Sequence, residues 1–280
     1  MQGWGHWLDL VFPRACALCS TPLVDLGERG LCGGCFGRVD PIEDGCLRCG
    51  APMGHSAMPR SSRKQSKGGR CPTCQKKSLS VTRVFAFCVY AGASIRIARK
   101  MKEPRHEALA EQMGRSVAHW LMQGGRFAVE HYDAIIPIPQ HWFRRLAMRY
   151  NQSEALANAI AACVRLPIEE RWLRRARWTP KQGMKTIVER HENMLRAFHI
   201  QEKHAKRVQG KRFLLVDDVM TSGATLDQAA WALKQRGALM VDAVVFARGL
   251  GATKSAAPRT GENQDFASKI RRTEGAEPAY

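Results

Sequence analysis

Eight of the ten cysteines stand in four Cys-x-x-Cys pairs, Cys16/Cys19, Cys32/Cys35, Cys46/Cys49 and Cys71/Cys74, all within the first 74 residues. Zn²⁺ takes four thiolates in a tetrahedron, two from each such knuckle, so four pairs make two Cys₄ sites. Glycines in Cys32-Gly33-Gly34-Cys35 and after Cys49 let backbone N–H groups approach the sulfurs. A segment this short draws much of its folding free energy from the metal. A redox pair of thioredoxin type would be a single motif opening a helix within a βαβ pattern, whereas these four lie in a Gly- and Pro-rich stretch. Pairing in chain order (Cys16, Cys19, Cys32 and Cys35, then Cys46, Cys49, Cys71 and Cys74) closes short loops and is the expected arrangement. A cross-braced arrangement would instead join the first pair to the third.

A second constellation lies in the last third of the chain. Asp217 and Asp218 end the apolar run FLLVDD, and Thr221, Ser222, Gly223, Ala224 and Thr225 lead from it into a helical pattern. Backbone N–H groups at a helix N-terminus favour an anion, and Gly223 permits a close backbone approach that a side chain would obstruct. Two carboxylates beside such a cradle repel a bare anion but accept hydrogen bonds from the vicinal hydroxyls of a sugar phosphate.

The elements that must position these groups are legible as patterns. VTRVFAFCVYAG reads as a strand, ASIRIARKMK and HEALAEQMGRSVAHWLMQ as helices with Pro104 at a tolerated first-turn position, and AIIPIP as a short strand. Residues 142 to 163 read as a long helix. Strand FLLVDD, helix ATLDQAAWALKQRG with a glycine stop at Gly237, and strand LMVDAVVFARG follow. A strand, helix and strand in this order form a right-handed crossover with parallel strands, and ligands of such sheets bind at the strands' carboxyl ends. Cys88 and Cys163 sit in apolar surroundings and read as core.

Hydrophobic residues at 45% and charged ones at 25% suit a soluble globular protein and exclude collagen-like or wholly disordered chains. No apolar run approaches the roughly 18 residues of a membrane span, and the N-terminus lacks the regions of a secretory signal. The expectation is a cytoplasmic protein without membrane insertion. A net charge of +19 suits polyanionic partners such as nucleic acid or phosphorylated metabolites.

LLVDDVMTSGATL resembles the 5-phosphoribosyl 1-pyrophosphate (PRPP) binding motif of type I phosphoribosyltransferases. Together with the four cysteine pairs, it makes the chain resemble the ComF family, in which a double zinc ribbon is fused to that domain. The resemblance spans roughly residues 10 to 249. It includes Ile136-Pro137-Ile138-Pro139 with Arg144 and Arg145, the Asn151-Gln152 pair, and the stretch from Arg174 to Gln182 leading to Arg190 and Asn193. It implies an α/β fold: a type I phosphoribosyltransferase-like parallel sheet flanked by helices, preceded by a small double zinc-ribbon module. The boundaries would be 10–78 for the ribbons, with a mobile basic loop at 51–70, then 81–249 for the phosphoribosyltransferase-like domain and 250–280 for a disordered tail. It further implies that Asp217 and Asp218 bind the ribose hydroxyls, that residues 221 to 225 hold the 5-phosphate, and that Pro137, Arg144 and Arg145 belong to a pyrophosphate loop. Mg²⁺ would arrive with PRPP. The chain departs from the family where Met148-Arg149-Tyr150 precedes Asn151-Gln152, and in the long spacing from Cys49 to Cys71.

Two functions fit. One is a PRPP-dependent transferase, or a hydrolase of related chemistry. The other is a non-catalytic accessory of DNA uptake that keeps the fold and uses its zinc module and charge to bind single-stranded DNA; competence and DNA-uptake machinery are the partners the resemblance implies. Other residues divide between functional and structural readings. The arginines and lysines from Arg171 to Lys185 suit a mobile lid or a solvated basic face. Trp142, Phe143 and Tyr150 suit base stacking or core packing. Asp227 suits a helix-dipole acid, and His55 a solvated residue of the basic loop.

Overall fold

A computed structural model describes residues 14–23, 30–53, 71, 74, 79–125, 127–140, 150–175 and 197–250. In chain order its elements are a one-turn helix α1 (Gly33–Phe36), β1 (Val84–Val89), α2 (Ala93–Lys100), α3 (Glu107–Gln123), β2 (Ala134–Pro137), α4 (Gln152–Val164), β3 (Leu173–Arg175), β4 (Phe198–Ile200), α5 (Glu202–Val208), β5 (Arg212–Met220), α6 (Ala224–Lys234) and β6 (Met240–Arg248). The central sheet is all parallel, in the order β1-β6-β5-β2. β3 and β4 pair antiparallel on their own.

Strand alternation sorts the core into two faces. Phe87, Ile135, Leu214, Val216, Val244 and Phe246 point to one face, where Leu109, Met113 and Val117 of α3 and Leu156 and Ile160 of α4 cover them. α3 and α4 meet closely at Gly114, where a Cβ would stand 2.7 Å from that of Ala159. Val84, Ala86, Ile136, Leu215, Ala243 and Val245 point to the other face, against Leu226, Ala229 and Leu233 of α6.

The two cysteine quartets straddle the edge strand β1. Cys16 and Cys35 join the core on the α3 side, while Cys46, Cys49, Cys71 and Cys74 join the core on the α6 side. Between them the chain runs along the open edge of β1: Pro41 bridges Cys88, and the Ile42 N–H donates to the Phe87 carbonyl at 2.7 Å. An unpaired strand edge invites foreign pairing, and the ribbon linker covers it. Gln112 of α3 grips the first ribbon, accepting from the N–H groups of Gly30 and Leu31 and donating to the Leu31 carbonyl. On the other side Arg48 donates to the carbonyls of Thr82 and Leu79. Gly50, at φ +67°, lies so close to β1 that a Cβ would meet that of Ala86 at 2.7 Å.

Several sequence expectations change at this level. The helix expected over 142 to 163 is Gln152–Val164. Asn151 has extended backbone (φ −130°, ψ 111°), and its side chain accepts from the Ser153 N–H, so it caps the helix and stops it from extending backward. Residues 141–149, with Trp142, Phe143, Arg144 and Arg145, lie outside the described residues. The strand expected to end at Asp218 runs on to Met220. The basic stretch begins with exposed Arg171 and continues with buried Trp172 and Leu173, the latter opening β3. Its remainder from 176, the basic loop from 54 to 70 with His55, and the tail from 251 lie outside the described residues. Cys88 is buried and its thiol donates to the Phe246 carbonyl; Cys163 is half-buried.

Candidate functional site

β5 and β2 are neighbours in the sheet, with Pro137 level with Val216, so the ends of both strands open at the same edge. Asp217 and Asp218 lie there, both buried, and both reach the first turn of α4. Asp217 Oδ1 accepts from Ser153 Oγ at 3.0 Å and from the Asp218 N–H at 2.9 Å. Asp218 Oδ2 accepts from Gln152 Nε2 at 3.2 Å and lies 3.4 Å from Lys102 Nζ, while its Oδ1 accepts from the Val219 N–H. Gln140, just past β2, donates in turn to Gln152 Oε1, and Asn151 donates to the Ile138 carbonyl. The segment after β2 is thus tied through α4 to the acid pair. The positive end of α4 also favours negative charge here.

Burial and the adjoining Asp218 carboxylate push Asp217 up to about 8. Two like charges at one buried point favour a shared proton over double ionisation. Asp217 therefore keeps a proton at neutral pH, and the site receives hydroxyl groups more readily than a free anion.

Directly after β5 comes the turn into α6. Thr221, Ser222 and Ala224 are exposed, Gly223 is buried, and Thr225 is half-buried. Gly223 caps α6 at φ +83° and ψ 1°, a left-handed conformation that residues with a Cβ seldom adopt. Its carbonyl accepts from the Asp227 N–H at 2.9 Å, and the Asp227 carboxylate accepts from the Ser80 N–H. Asp227 thus fastens the helix start to the segment ahead of β1 and is no mere surface acid. The structure therefore brings Pro137, Asp217, Asp218 and residues 221 to 225 to one sheet edge.

Sequence reasoning missed Lys102, Ser153 and Arg248. Lys102 stands in the turn after α2, and nothing in its local pattern separates it from the chain's other cations. Ser153 directly follows the Asn151-Gln152 pair and is the hydroxyl donor to Asp217. Arg248 carried a signal: it is a charged residue closing the otherwise apolar run AVVFAR.

The cysteine quartets are sequential. In each of the sets Cys16, Cys19, Cys32, Cys35 and Cys46, Cys49, Cys71, Cys74, the sulfurs lie within 4.8 Å of one another. A tetrahedron with Zn–S bonds of about 2.3 Å separates its sulfurs by about 3.8 Å. The Cys19–Cys32 and Cys49–Cys71 Sγ distances are 3.6 and 3.7 Å. The Cys71 N–H donates to Cys46 Sγ at 3.1 Å, the backbone support a thiolate ligand uses. Both quartets thus fit structural Zn²⁺, which would tie the knuckles together.

Family models match two parts of the chain: the double zinc ribbon domain over residues 7–75 and the phosphoribosyl transferase domain over residues 155–267. The chain is 27% identical over 237 residues to the DNA utilization protein YhgH of Escherichia coli, covering 83% of this chain and 96% of that protein. It is 22% identical over 213 residues to Competence protein F of Haemophilus influenzae, covering 76% and 87%. Among solved structures, a B. subtilis glutamine phosphoribosylpyrophosphate amidotransferase complexed with ADP and GMP aligns at 20% identity and TM-score 0.35, covering 49% of this chain and 25% of its own. A purine phosphoribosyltransferase from Pyrococcus horikoshii aligns at 13% identity and TM-score 0.30, covering 52% and 92%.

Elemental analysis of the purified chain is expected to find about two zinc ions per molecule, falling by one in either Cys16→Ser or Cys46→Ser; well under two in the unaltered chain would contradict the two-site assignment. The proton on Asp217 gives a second expectation. Its folded value lies above the ordinary 3.8, so its contribution to stability is complete below pH 4 and is lost as pH rises through about 8. Between pH 6 and 9 the unaltered chain should therefore lose about 1–3 kcal/mol relative to Asp217→Asn. Thermal midpoints of the two proteins across that range measure it, and a difference independent of pH would contradict the shifted acid.

Proposed function

Because the chain belongs to the ComF family, double zinc ribbons joined to a phosphoribosyltransferase-like domain, we propose that it is a competence-related protein that binds PRPP at the carboxyl edge of its sheet. The observation that carries this reading is the buried acid pair set beside an open helix-capping turn. Asp217 and Asp218 would accept hydrogen bonds from the ribose hydroxyls, and the backbone N–H groups of residues 221 to 225 would receive the 5-phosphate. Lys102, whose Nζ lies 3.4 Å from Asp218 Oδ2, would turn toward the pyrophosphate once a hydroxyl replaces it. Pro137 with Arg144 and Arg145 would form the pyrophosphate side.

Mg²⁺ bound with PRPP neutralises pyrophosphate charge and takes its ligands chiefly from phosphate oxygens, sugar hydroxyls and water, so few protein donors are needed. If the C1–O bond of PRPP is broken here, pyrophosphate departs with the bonding pair and cationic side chains stabilise it as it leaves. We assign residues 10–78 to the ribbon module, 81–249 to the phosphoribosyltransferase-like domain and 250–280 to a tail. No helix among the described residues is long and apolar enough to cross a membrane; we place the protein in the cytoplasm.

The net charge of +19 favours a second reading. In it the chain is a non-catalytic accessory that binds single-stranded DNA and retains the fold. The names of its relatives, a DNA utilization protein and a competence protein, support the same setting.

Calorimetric titration of PRPP with Mg²⁺ into the unaltered chain and into the double variant Asp217→Asn, Asp218→Asn separates the readings. Binding that weakens at least about tenfold in the variant, the loss of one or more charge-assisted hydrogen bonds, supports the sugar-phosphate site. No binding to the unaltered chain would overturn it, and DNA affinity that falls steeply with salt would then carry the second reading.

A further inference from the structure

Arg248 closes β6 level with Met220 of β5 and Val89 of β1, and only 9% of it is exposed. Its Nε donates to the carbonyl of Cys49 at 3.0 Å. Its Nη1 donates to the carbonyl of Met220 at 3.0 Å and to those of Thr221 and Gly249. One buried guanidinium therefore spans the first knuckle of the second quartet and the first residues of the turn after β5. The knuckle is itself pressed on the sheet, since the next residue, Gly50, abuts Ala86 and the Val84 carbonyl.

This arrangement has a directional consequence. In a planar trans peptide the C=O of one residue and the N–H of the next point in opposite directions. With the Met220 and Thr221 carbonyls turned inward to Arg248, the N–H groups of Thr221 and Ser222 turn away from it. The guanidinium lies in a weakly screened interior, so it also places positive charge beneath the turn.

We propose that Arg248 is the positioning residue of the anion turn, and that through the Cys49 carbonyl it makes the turn's shape depend on the second cysteine quartet but not directly on the first. This rests on the sugar-phosphate reading for the identity of the ligand, though not for the geometry. Metal held by Cys46, Cys49, Cys71 and Cys74 fixes the knuckle backbone; loss of that metal frees the Cys49 carbonyl and with it one anchor of the guanidinium. The first quartet lies on the opposite face of the sheet and makes no described contact with Arg248.

The test compares the unaltered chain with three variants by two readouts: hydrogen–deuterium exchange of the amides of residues 221 to 224, and calorimetric affinity for PRPP with Mg²⁺. Arg248→Lys keeps the charge but loses the fork of donors. It is expected to keep two zinc ions while amide exchange rises and affinity falls by about tenfold, the scale of one lost net hydrogen bond. Cys74→Ser removes a ligand of the second quartet while leaving the residues Arg248 and Cys49 themselves unaltered, and is expected to move both readouts the same way. Cys19→Ser, in the first quartet, is expected to move amide exchange by less than a third as much. Unaltered exchange in both Arg248→Lys and Cys74→Ser, or equal effects from the two quartets, would overturn the proposal. If the unaltered chain does not bind PRPP while exchange follows the expected pattern, the ligand assignment fails and the positioning role stands. If PRPP binds and exchange is insensitive to Arg248→Lys, the reverse holds. Should Cys74→Ser not fold, exchange in the unaltered chain after partial chelation replaces it, read against the same two outcomes.

Discussion

Placing two adjacent carboxylates at the buried end of a parallel strand is the constraint around which this molecule is arranged. Desolvation and mutual repulsion disfavour double ionisation, and the shift of Asp217 up to about 8 expresses that cost. What offsets it comes from separate elements: a hydroxyl and an amide from the first turn of α4, a cation from the turn after α2, and the N–H groups of the strand itself. A strand end so supplied is costly to keep as an empty structural feature and well suited to a ligand rich in hydroxyl donors. The same edge carries the capping turn of α6, where an anion is favoured.

The ribbons are more than an appended module. They cover both faces and the exposed edge of β1, and every one of their cysteines but Cys19 belongs to or packs against the same two apolar cores as the sheet. β1 neighbours β6, β6 neighbours β5, and β5 carries the acid pair near its end, so a ribbon displaced from β1 disturbs the sheet two strands from the site. Arg248 shortens that path to one side chain. The second cysteine quartet and the turn after β5 are thereby joined in one structure.

The features that sequence made legible are those whose physics is local. Four thiols per metal must come from closely spaced knuckles, so both quartets could be read from spacing. Apolar runs bounded by glycine and charge marked β1, β2, β5 and β6, and the turn after β5 announced itself by residue type. The hidden features depend on distant partners. β3 and β4 are three residues each, too short for any periodicity, and are held by Trp172 and Phe213 packing edge to face. The start of α4 was obscured because residues 142 to 150 continue a helical pattern until the Asn151 cap breaks it. Lys102 had no local signal and Arg248 only its charge at the end of an apolar run, since their partners are remote in sequence; Arg248 and Cys49 are 199 residues apart.

The most direct test of the sugar-phosphate site is a crystal structure of the full chain grown with PRPP and Mg²⁺. The expected result places the 5-phosphate on the backbone N–H groups of residues 221 to 225 and the two ribose hydroxyls on Asp217 and Asp218, with Lys102 released from Asp218. A phosphate bound elsewhere, or an acid pair still closed by Lys102 with ligand in excess, would contradict it.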